Sequence, residues 1–425
     1  MADPETLRSH PDTRPAGTAE PAVLAPLPPP ATPDGTADGT AGRPGRARQR
    51  IVFTTVILTA LALLFGVPWW LLVYAGPAWP GPVVAAGTAV FAAGLLCFPV
   101  LMYLGHGHRQ LDRAARAGDA TLGVIWVLFA WTVLSLVPRL VLLLAGVPDP
   151  ARSRITALAV LAVAAVLLPW GYAEAMRVPR IRRLDVPLAR LGPGLAGTRV
   201  VVLADTHYGP TRRARWSARV AQAVNALEPD IVCHAGDLAD GPVSRRRDQA
   251  APLGTVRAAL AKVYVTGNHE YFGEAPAWMA HMAELGWETL RNRHLVVRRG
   301  GDALVVAGVD DRTARSSGLP GHGADVAAAL AGADPELPVL LLAHQPRQVE
   351  QAVEAGVDLQ LSGHTHGGQI WPFHLLVRLD QPALQGLTRH GPRTWLYTSR
   401  GTGFWGPPLR IFAPSEITLL TLRTG

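Results

Sequence analysis

The 425-residue sequence is poor in charged residues, in cysteine and above all in lysine. Charged residues make up 17% and hydrophobic residues 49%, which is apolar for a soluble protein and indicates that part of the chain lies in lipid. Cys97 lies in an apolar run and Cys233 in a predicted strand, so there is no basis for a disulfide framework or a cysteine-based zinc site. Lys262 is the only lysine, and the net charge of +8 therefore comes from arginine, which suits phosphate or anionic lipid but can also reflect genome composition.

Long uncharged runs dominate the first part of the chain after a tail rich in Pro, Ala, Gly and Thr. Residues 51–108 contain no Asp, Glu, Lys or Arg and are split by GPAWPGP at residues 76–82. After the polar link HRQLDRAARAGDA, two more apolar runs follow at residues 121–146 and 155–173. Each run has the roughly 20 apolar residues that cross a bilayer. We therefore predict a disordered tail at residues 1–50, a transmembrane region of four helices at residues 51–176, and a further domain at residues 177–425.

The distribution of arginine predicts the orientation in the membrane. Arginines cluster before the first span, between the second and third, and after the fourth, whereas the other two links contain only Arg152 and Arg154. By the positive-inside rule both termini lie in the cytoplasm. If the number of spans is odd, the C-terminal domain lies outside the cell. His106 and His108, beside the second span, are interpreted as polar residues at the membrane interface.

From about residue 178, short β-rich runs alternate with Ala-rich helical segments, which is typical of an α/β domain. Five of the runs are followed by polar residues, at Asp205-Thr206-His207, at Asp237 to Asp240, at Asn268-His269-Glu270, at His344 and at His364 to His366. In α/β sheets, ligands bind at the carboxyl ends of the strands, so we expect these five clusters to lie close together.

Carboxylates, an amide and imidazoles form a ligand set that suits Mn, Fe, Zn or similar divalent cations. Gly236, Gly267 and Gly363 each precede one of the polar clusters. A glycine at such a place lets the chain turn sharply without obstruction by a Cβ atom. The sequence therefore predicts a metal site built on strand ends.

The motifs DTH, GDLAD, GNHE, a single histidine after a strand, and GHTH, in this order, resemble those of the calcineurin-like metallophosphoesterases. The resemblance covers about residues 180–425. The strings SGHTHGGQI and PLRIFAPSEITLLTL resemble the bacterial membrane-associated phosphodiesterases within that family. The resemblance implies the fold class α/β, here a four-layer α/β/β/α sandwich of two mixed sheets preceded by the four-helix transmembrane region.

Carried over to this sequence, the family pattern implies two divalent metal ions bridged by Asp237. The ligands of the first would be Asp205, His207, Asp237 and His366, and those of the second Asp237, Asn268, His344 and His364. His269 and Asp237 are the expected catalytic residues, with His269 hydrogen-bonding the phosphoryl oxygen or protonating the leaving alkoxide. Asp240 and Glu270 either orient ligand imidazoles or cap the helices that follow.

The leading functional hypothesis is a membrane-anchored two-metal phosphoesterase that uses a metal-activated water. Its expected substrate is a phosphate ester or pyrophosphate on a lipid or lipid-linked molecule, because anchoring holds the site near the bilayer. One alternative is a catalytically inactive metal-binding or sensory membrane protein, and another is a small transporter with a regulatory domain. Nucleic acid is not an expected partner, and the oligomeric state stays open.

Overall fold

The computed structural model describes residues 43–211 and 214–425, and within residues 43–50 it describes only the side chain of Arg48. Most of the predicted disordered tail therefore lies outside the described residues. By its contacts the chain divides into residues 1–55 and residues 56–425. The described part of the first unit is the beginning of a helix that starts at Arg43.

Long apolar helices form the N-terminal part of the described chain. They are α1 Arg43–Trp69, continued by a π-helical turn Trp70–Tyr74, then α2 Gly81–His106, α3 Asp112–Leu134, α4 Leu136–Leu144 and α5 Ala151–Met176. Among the described residues, four segments are long and apolar enough to cross a membrane, namely Ile51–Tyr74, Gly81–His106, Asp112–Leu144 and Ala151–Met176. The four predicted spans are confirmed in number, length and composition.

The polar link before the third span is mostly helical. The helix α3 already begins at Asp112. Alanine and arginine, which dominate the segment, have high helix propensity and favour this extension. The helix ends at Leu134, and α4 continues the same span after Ser135.

The C-terminal part contains the strands and shorter helices of the predicted α/β domain. The strands are β1 Arg180–Leu188, β2 Arg199–Leu203, β3 Ile231–Ala235, β4 Ala261–Val265, β5 Glu288–Thr289, β6 Arg293–Arg299, β7 Asp302–Gly308, β8 Val339–Leu342, β9 Leu359–Ser362, β10 Gly386–His390, β11 Thr394–Thr398 and β12 Glu416–Thr424. The helices are α6 Ala214–Asn225, α7 Val243–Ala250, α8 Asn268–Tyr271, α9 Ala275–Glu284, α10 Val326–Leu330, α11 Val349–Glu354 and α12 His374–Asp380.

The strands form two mixed six-stranded sheets, with the orders β1-β12-β2-β3-β4-β5 and β10-β11-β9-β8-β7-β6. In the first sheet β2, β3 and β4 are parallel neighbours, and in the second β8 pairs in parallel with β7 and β9. The strands that precede the predicted metal ligands are thus central and parallel. Their carboxyl ends share one edge in each sheet.

Apolar residues explain why the domain has four layers. In β2, Val200 and Val202 lie in the core between the two sheets, while Val201 and Leu203 face a second core formed with the outer helices. Strands covered on both faces are expected to read as continuous apolar runs. The second sheet packs in the same way on α10 and α11 through Val326, Ala329 and Ala352. The predicted α/β/β/α sandwich is confirmed.

Candidate metal centre

The structure brings together the side chains of all seven residues predicted to bind metal. Asp205 and His207 follow β2, Asp237 follows β3 and Asn268 follows β4, while His344 follows β8, and His364 and His366 follow β9. Three groups of potential ligand atoms each lie within 4.8 Å of one another: Asp205, His207 and His366; His207, Asp237 and His269; and Asp237, His344 and His364. The carboxyl ends of the central strands of both sheets therefore meet at one cluster of side chains. Asp237 belongs to two of the three groups.

One half of the cluster is formed by Asp205, His207, Asp237 and His366. The Nε2 atoms of His207 and His366 lie 3.1 Å apart. His366 Nε2 is 3.7 Å from Asp205 Oδ1, and His207 Nε2 is 3.6 Å from Asp237 Oδ2. Imidazole nitrogens and carboxylate oxygens of this half thus converge on a common point.

The other half is formed by Asp237, Asn268, His344 and His364. His344 Nε2 lies 3.2 Å from Asp237 Oδ2 and 3.2 Å from Asn268 Oδ1. His364 Nδ1 lies 2.9 Å from the same amide oxygen. Asp237 has atoms near both halves, as an anionic bridge between two cations requires.

Five of the seven candidate ligands have a positive φ, which is uncommon for residues other than glycine. They are Asp205, His207, Asp237, His364 and His366, with φ between 43° and 71°. Each such conformation costs on the order of 1–3 kcal/mol and persists only where the surroundings impose it. The concentration of strained backbone at this one place indicates that the fold is built to position these side chains.

Gly236 shows why the turn after β3 requires glycine. Its φ is 89°, and an added Cβ would lie 2.7 Å from Gly267 N and 2.7 Å from His344 Nδ1. The backbones that carry Asp237 and Asn268 can approach each other only because both turns contain glycine.

Hydrogen bonds to the second ring nitrogen orient two of the candidate ligand histidines. His344 Nδ1 lies 2.7 Å from the Ala235 carbonyl oxygen and donates a hydrogen bond to it. The lone pair of Nε2 is then free to bind a cation. Asp240 Oδ1 is 2.8 Å from His207 Nδ1 and 2.7 Å from His269 Nδ1. Such hydrogen bonds fix the tautomer and the orientation of metal-binding histidines.

Asp240 and Glu270, for which two roles were open, lie in different surroundings. Asp240 contacts the imidazoles described above, whereas Glu270 contacts backbone. The Glu270 carboxylate accepts from the N–H groups of Gly267 at 2.7 Å, Leu238 at 2.8 Å and Asp237 at 3.1 Å. Glu270 therefore joins the turn after β3 to the start of α8, which favours the capping role for this residue.

The metal-free cluster has strongly shifted pKa values. Burial, partly offset by the facing imidazole of His344, raises the pKa of Asp205 to about 6. Burial acts to raise the pKa of Asp237 as well, but His344 and His269 lower it well below its usual range. Burial acts to lower the pKa of His269, but the charges of Asp237 and Asp240 outweigh it and raise this pKa to about 9. Opposing shifts within one cluster are typical of functional sites.

The residues fit a pair of divalent cations. Asp205 Oδ2 is buried and has no hydrogen-bond partner among the described residues, and a buried carboxylate oxygen without a partner is costly. A cation between Asp205, His207 and His366 would satisfy it. The donor set of carboxylate, amide and imidazole suits Mn, Fe or Zn.

Sequence reasoning missed Arg410, which is fully buried behind His366. Its guanidinium donates to the carbonyl oxygens of His366 at 2.8 Å, Arg400 at 2.7 Å and Gly403 at 2.6 Å. It thereby joins the loop that follows β9 to the segment before β12. A single arginine in PLRIFAPSE has no periodic neighbour that could have revealed this role.

Sequence reasoning also missed a polar contribution from the apolar helices. His106 Nε2 lies 2.9 Å from Asp119 Oδ1, and Asp119 lines a small cavity together with His207, Asp240 and Phe404. His106, expected at the membrane interface, thus has a hydrogen-bond partner on α3. That partner is 13 residues away, and the polar link between them gave no sign that the end of α2 packs against the start of α3.

Comparisons with known proteins identify the family. The sequence pattern of the calcineurin-like phosphoesterases matches residues 198–368. A transmembrane protein with metallophosphoesterase domain from Danio rerio is 40% identical over 269 residues, which is 62% of this chain and 62% of the relative. An uncharacterised metallophosphoesterase from Aquifex aeolicus is 30% identical over 245 residues, which is 57% of this chain and 92% of the relative. The chain thus spans 62% of the length of the zebrafish relative and nearly all of the bacterial one.

A solved structure of a dimetal phosphatase from Danio rerio shares 14% identity with this chain. The match covers 53% of this chain and 99% of that one with a TM-score of 0.35, which is too low to support an argument. The bacterial relative supports the predicted resemblance to bacterial proteins, and the animal relative shows that the likeness is not confined to bacteria. With the motifs in order, the sandwich in place and the bacterial relative matched over most of its length, the chain belongs to the calcineurin-like phosphoesterase family.

Proposed function

We propose that this protein is a membrane-anchored phosphoesterase that binds two divalent cations and hydrolyses a phosphate ester or pyrophosphate on a lipid or lipid-linked molecule. One observation carries the proposal: seven ligand-type side chains from five strand ends converge, and Asp205 Oδ2 is buried without a partner among the described residues. In this proposal Asp205, His207, Asp237 and His366 hold one cation, and Asp237, Asn268, His344 and His364 hold the other.

When bound, the cations would supply Lewis acidity, which neutralises charge on the phosphoryl oxygens and lowers the pKa of an attacking water to about 7. The protein's own groups orient the reaction. His269 Nδ1 is held by Asp240 at 2.7 Å, so the ring keeps a fixed orientation and its Nε2 is the nitrogen left for the substrate. In that orientation His269 either hydrogen-bonds a phosphoryl oxygen or, with an ester substrate, gives a proton to the leaving alkoxide.

Exposed aromatic rings beside His269 support a substrate with an apolar part. Phe272 is 72% exposed and its ring centre lies 5.4 Å from that of His269. Trp405 is 49% exposed and lies 6.0 Å from the same ring. Large exposed apolar groups beside a polar site are typical of a binding surface, and they suit a substrate that has an apolar part.

We further propose that the site faces the cytoplasm. Four spans bring the chain back to its starting side, and the arginines that precede the first span and follow the fourth favour the cytoplasmic side for both ends. The division of the chain at residues 176 and 177 into an anchor and an enzymatic domain belongs to the same proposal.

The test uses the full chain purified in mixed micelles. Bis(p-nitrophenyl) phosphate with Mn²⁺ serves as a generic diester, and phospholipids and a lipid-linked pyrophosphate serve as candidate substrates. We expect turnover of both classes, loss of at least about a hundredfold in Asp237→Asn, and no loss in the matched control Asp185→Asn, an exposed carboxylate on β1.

The outcomes separate the parts of the proposal. If the protein hydrolysed soluble nucleotides but no lipid, the proposed substrate class would be wrong, and the proposed phosphoesterase activity would stand. Absence of turnover with every divalent metal, with metal still bound, would contradict the enzyme and favour the inactive metal-binding alternative.

A further inference from the structure

Two loops of the sandwich pack along the apolar helices rather than beyond their ends. Ile370 and Leu409 lie in one buried cluster with Val127 of α3 and Ala164 of α5. The indole N–H of Trp126 donates to the Ile370 carbonyl at 3.3 Å. The loop that follows the GHTH motif is therefore fixed directly to two candidate membrane spans.

The depth of these contacts follows from the helices. The ring of Trp371 lies 5.5 Å from that of Trp131. Trp131 follows Asp112, the first residue of α3, by 19 residues, or about 28 Å at about 1.5 Å per residue. It lies within residues 120–138, which contain no charged residue. A hydrocarbon core of about 30 Å placed on this span includes Trp131, so Trp371 lies at the level of lipid.

The second loop gives the same result on α5. Arg410 N donates to the Gly171 carbonyl at 2.9 Å, and the ring of Phe412 lies 5.5 Å from that of Trp170. Gly171 precedes Met176, the last residue of α5, by five residues, or about 8 Å along the axis. Phe412 therefore lies beside the fourth span, at the depth of its last two turns.

Five large apolar side chains lie on the outer surface of these loops, beside the exposed Arg378 and Asp380 of α12. Phe373 is 37% exposed, Leu375 58%, Leu376 51%, Leu379 81% and Phe412 58%. We call this set the apolar ledge. Water-exposed leucines on a short helix are unfavourable, whereas the same residues are favourable beside helices that face lipid. The ledge is continuous with those helices because the ring of Phe373 contacts Trp126 at 5.5 Å.

We propose that the apolar ledge is inserted in the bilayer next to α3 and α5, with α12 lying in the membrane interface, its leucines toward the lipid and Arg378 and Asp380 toward the headgroups and water. The proposal depends on membrane anchoring and not on catalysis. Its functional consequence rests on the proposed function: His366 precedes Phe373 by only seven residues, so insertion of the ledge holds the candidate metal centre close to the lipid headgroups. The ledge is then a membrane contact of the enzymatic domain itself, separate from the four spans.

Site-directed spin labelling of the full chain tests this inference. The background carries Cys97→Ser, which leaves Cys233, a buried thiol. A spin label is placed at Leu376→Cys or at Leu379→Cys, and the protein is reconstituted in vesicles of phosphatidylcholine and phosphatidylglycerol. Power saturation then compares collision with oxygen, which concentrates in lipid, and with a water-soluble nickel chelate. Because the substituted leucines are exposed, their replacement leaves the packed core intact.

Two control sites calibrate the measurement. Val137→Cys, 68% exposed on α4, reports lipid, and Val296→Cys, 38% exposed on β6, reports an apolar residue in water. We expect positions 376 and 379 to behave as position 137, with oxygen contact several-fold above nickel contact. Nickel contact equal to that of position 296 would overturn the proposal. The measurement does not involve turnover, so its result does not depend on whether the protein is an active phosphoesterase.

Discussion

The carboxylate of Asp112, the first residue of α3, binds the guanidinium of Arg246, on α7, through two hydrogen bonds of 2.7 and 3.2 Å. Arg246 is 2% exposed and its Nε also donates to the Asp240 carbonyl at 3.1 Å. Asp240 in turn holds His207 and His269. A continuous chain of polar contacts therefore joins the start of a candidate membrane span to the candidate metal centre.

We expect Arg246→Ala to lower the free energy of unfolding by about 3 kcal/mol, because it removes the ion pair with Asp112 and the hydrogen bond to the Asp240 carbonyl. Thermal unfolding of the full chain in detergent, followed by tryptophan fluorescence, measures this change. Arg247→Ala, an exposed neighbour on α7, is the matched control and should shift stability by less than about 0.5 kcal/mol. Equal effects of the two substitutions would contradict the importance of the Asp112–Arg246 pair.

Asp240→Asn should weaken metal binding by roughly 10–100-fold, because the candidate ligand His207 loses the charged acceptor that fixes its ring. Competition with a fluorescent chelator for Mn²⁺ measures the affinity. Asp248→Asn, on the exposed face of α7, should leave it unchanged. An Asp240→Asn protein with wild-type affinity would show that Asp240 does not act through His207.

Much of the fold was predictable because strands covered on both faces are apolar throughout. The runs around Val201, Val232 and Leu341 were recognised as strands for this reason, and each is one. The strands β1 and β6 were not recognised, since Arg180–Leu188 and Arg293–Arg299 carry several arginines. Their pairing with β12 and β7 is a tertiary effect that single-strand patterns do not contain.

The proximity of the candidate ligands was predictable because parallel strands share an edge. Their roles as metal ligands stay predictions. Contacts between distant parts of the chain were not predictable: Arg410 acts through backbone carbonyls, and Asp119 lines the cavity because α3 packs against loops of the sandwich. The depth of Trp371 along α3 likewise depends on tertiary packing and leaves no mark on local sequence.

His234, fully buried on β3, should make the metal-free protein sensitive to acid. Burial, together with the facing charges of His344 and His207, lowers the pKa of His234 to about 3 despite Asp237, and the other facing group is Tyr264, 5.6 Å away. In the unfolded chain the pKa is about 6.5. Between these values the unfolded state binds more protons, so stability is complete above about pH 6.5 and falls as the pH drops toward 3.

His234→Gln tests this directly with chelator-treated protein. In the wild-type protein His234 should contribute up to about 1.4 kcal/mol per pH unit to the slope of the unfolding free energy against pH in acid. The variant should lack this contribution, whatever its stability at neutral pH. Unfolding free energies between pH 4 and 6.5 give the slope. An unchanged slope would mean that His234 is not held neutral in the fold.

Gly236→Ala should destabilise the protein by about 2–4 kcal/mol, because its φ of 89° and the 2.7 Å approach of Gly267 N leave no room for a Cβ. Thermal unfolding measures the change. Gly197→Ala is the control for the backbone contribution alone, because that glycine has φ of 77° and open space around its Cβ position. A Gly236→Ala protein no less stable than Gly197→Ala would contradict the close approach of the two turns.

In the proposed function, side chains from five strand ends hold two divalent cations. Anomalous diffraction at the manganese edge, from crystals of the full chain grown with Mn²⁺, would locate these cations. We expect two peaks, one bounded by Asp205, His207 and His366 and the other by Asn268, His344 and His364, with Asp237 between them. A protein that shows no peak among these side chains, or one only elsewhere in the chain, would contradict this proposal.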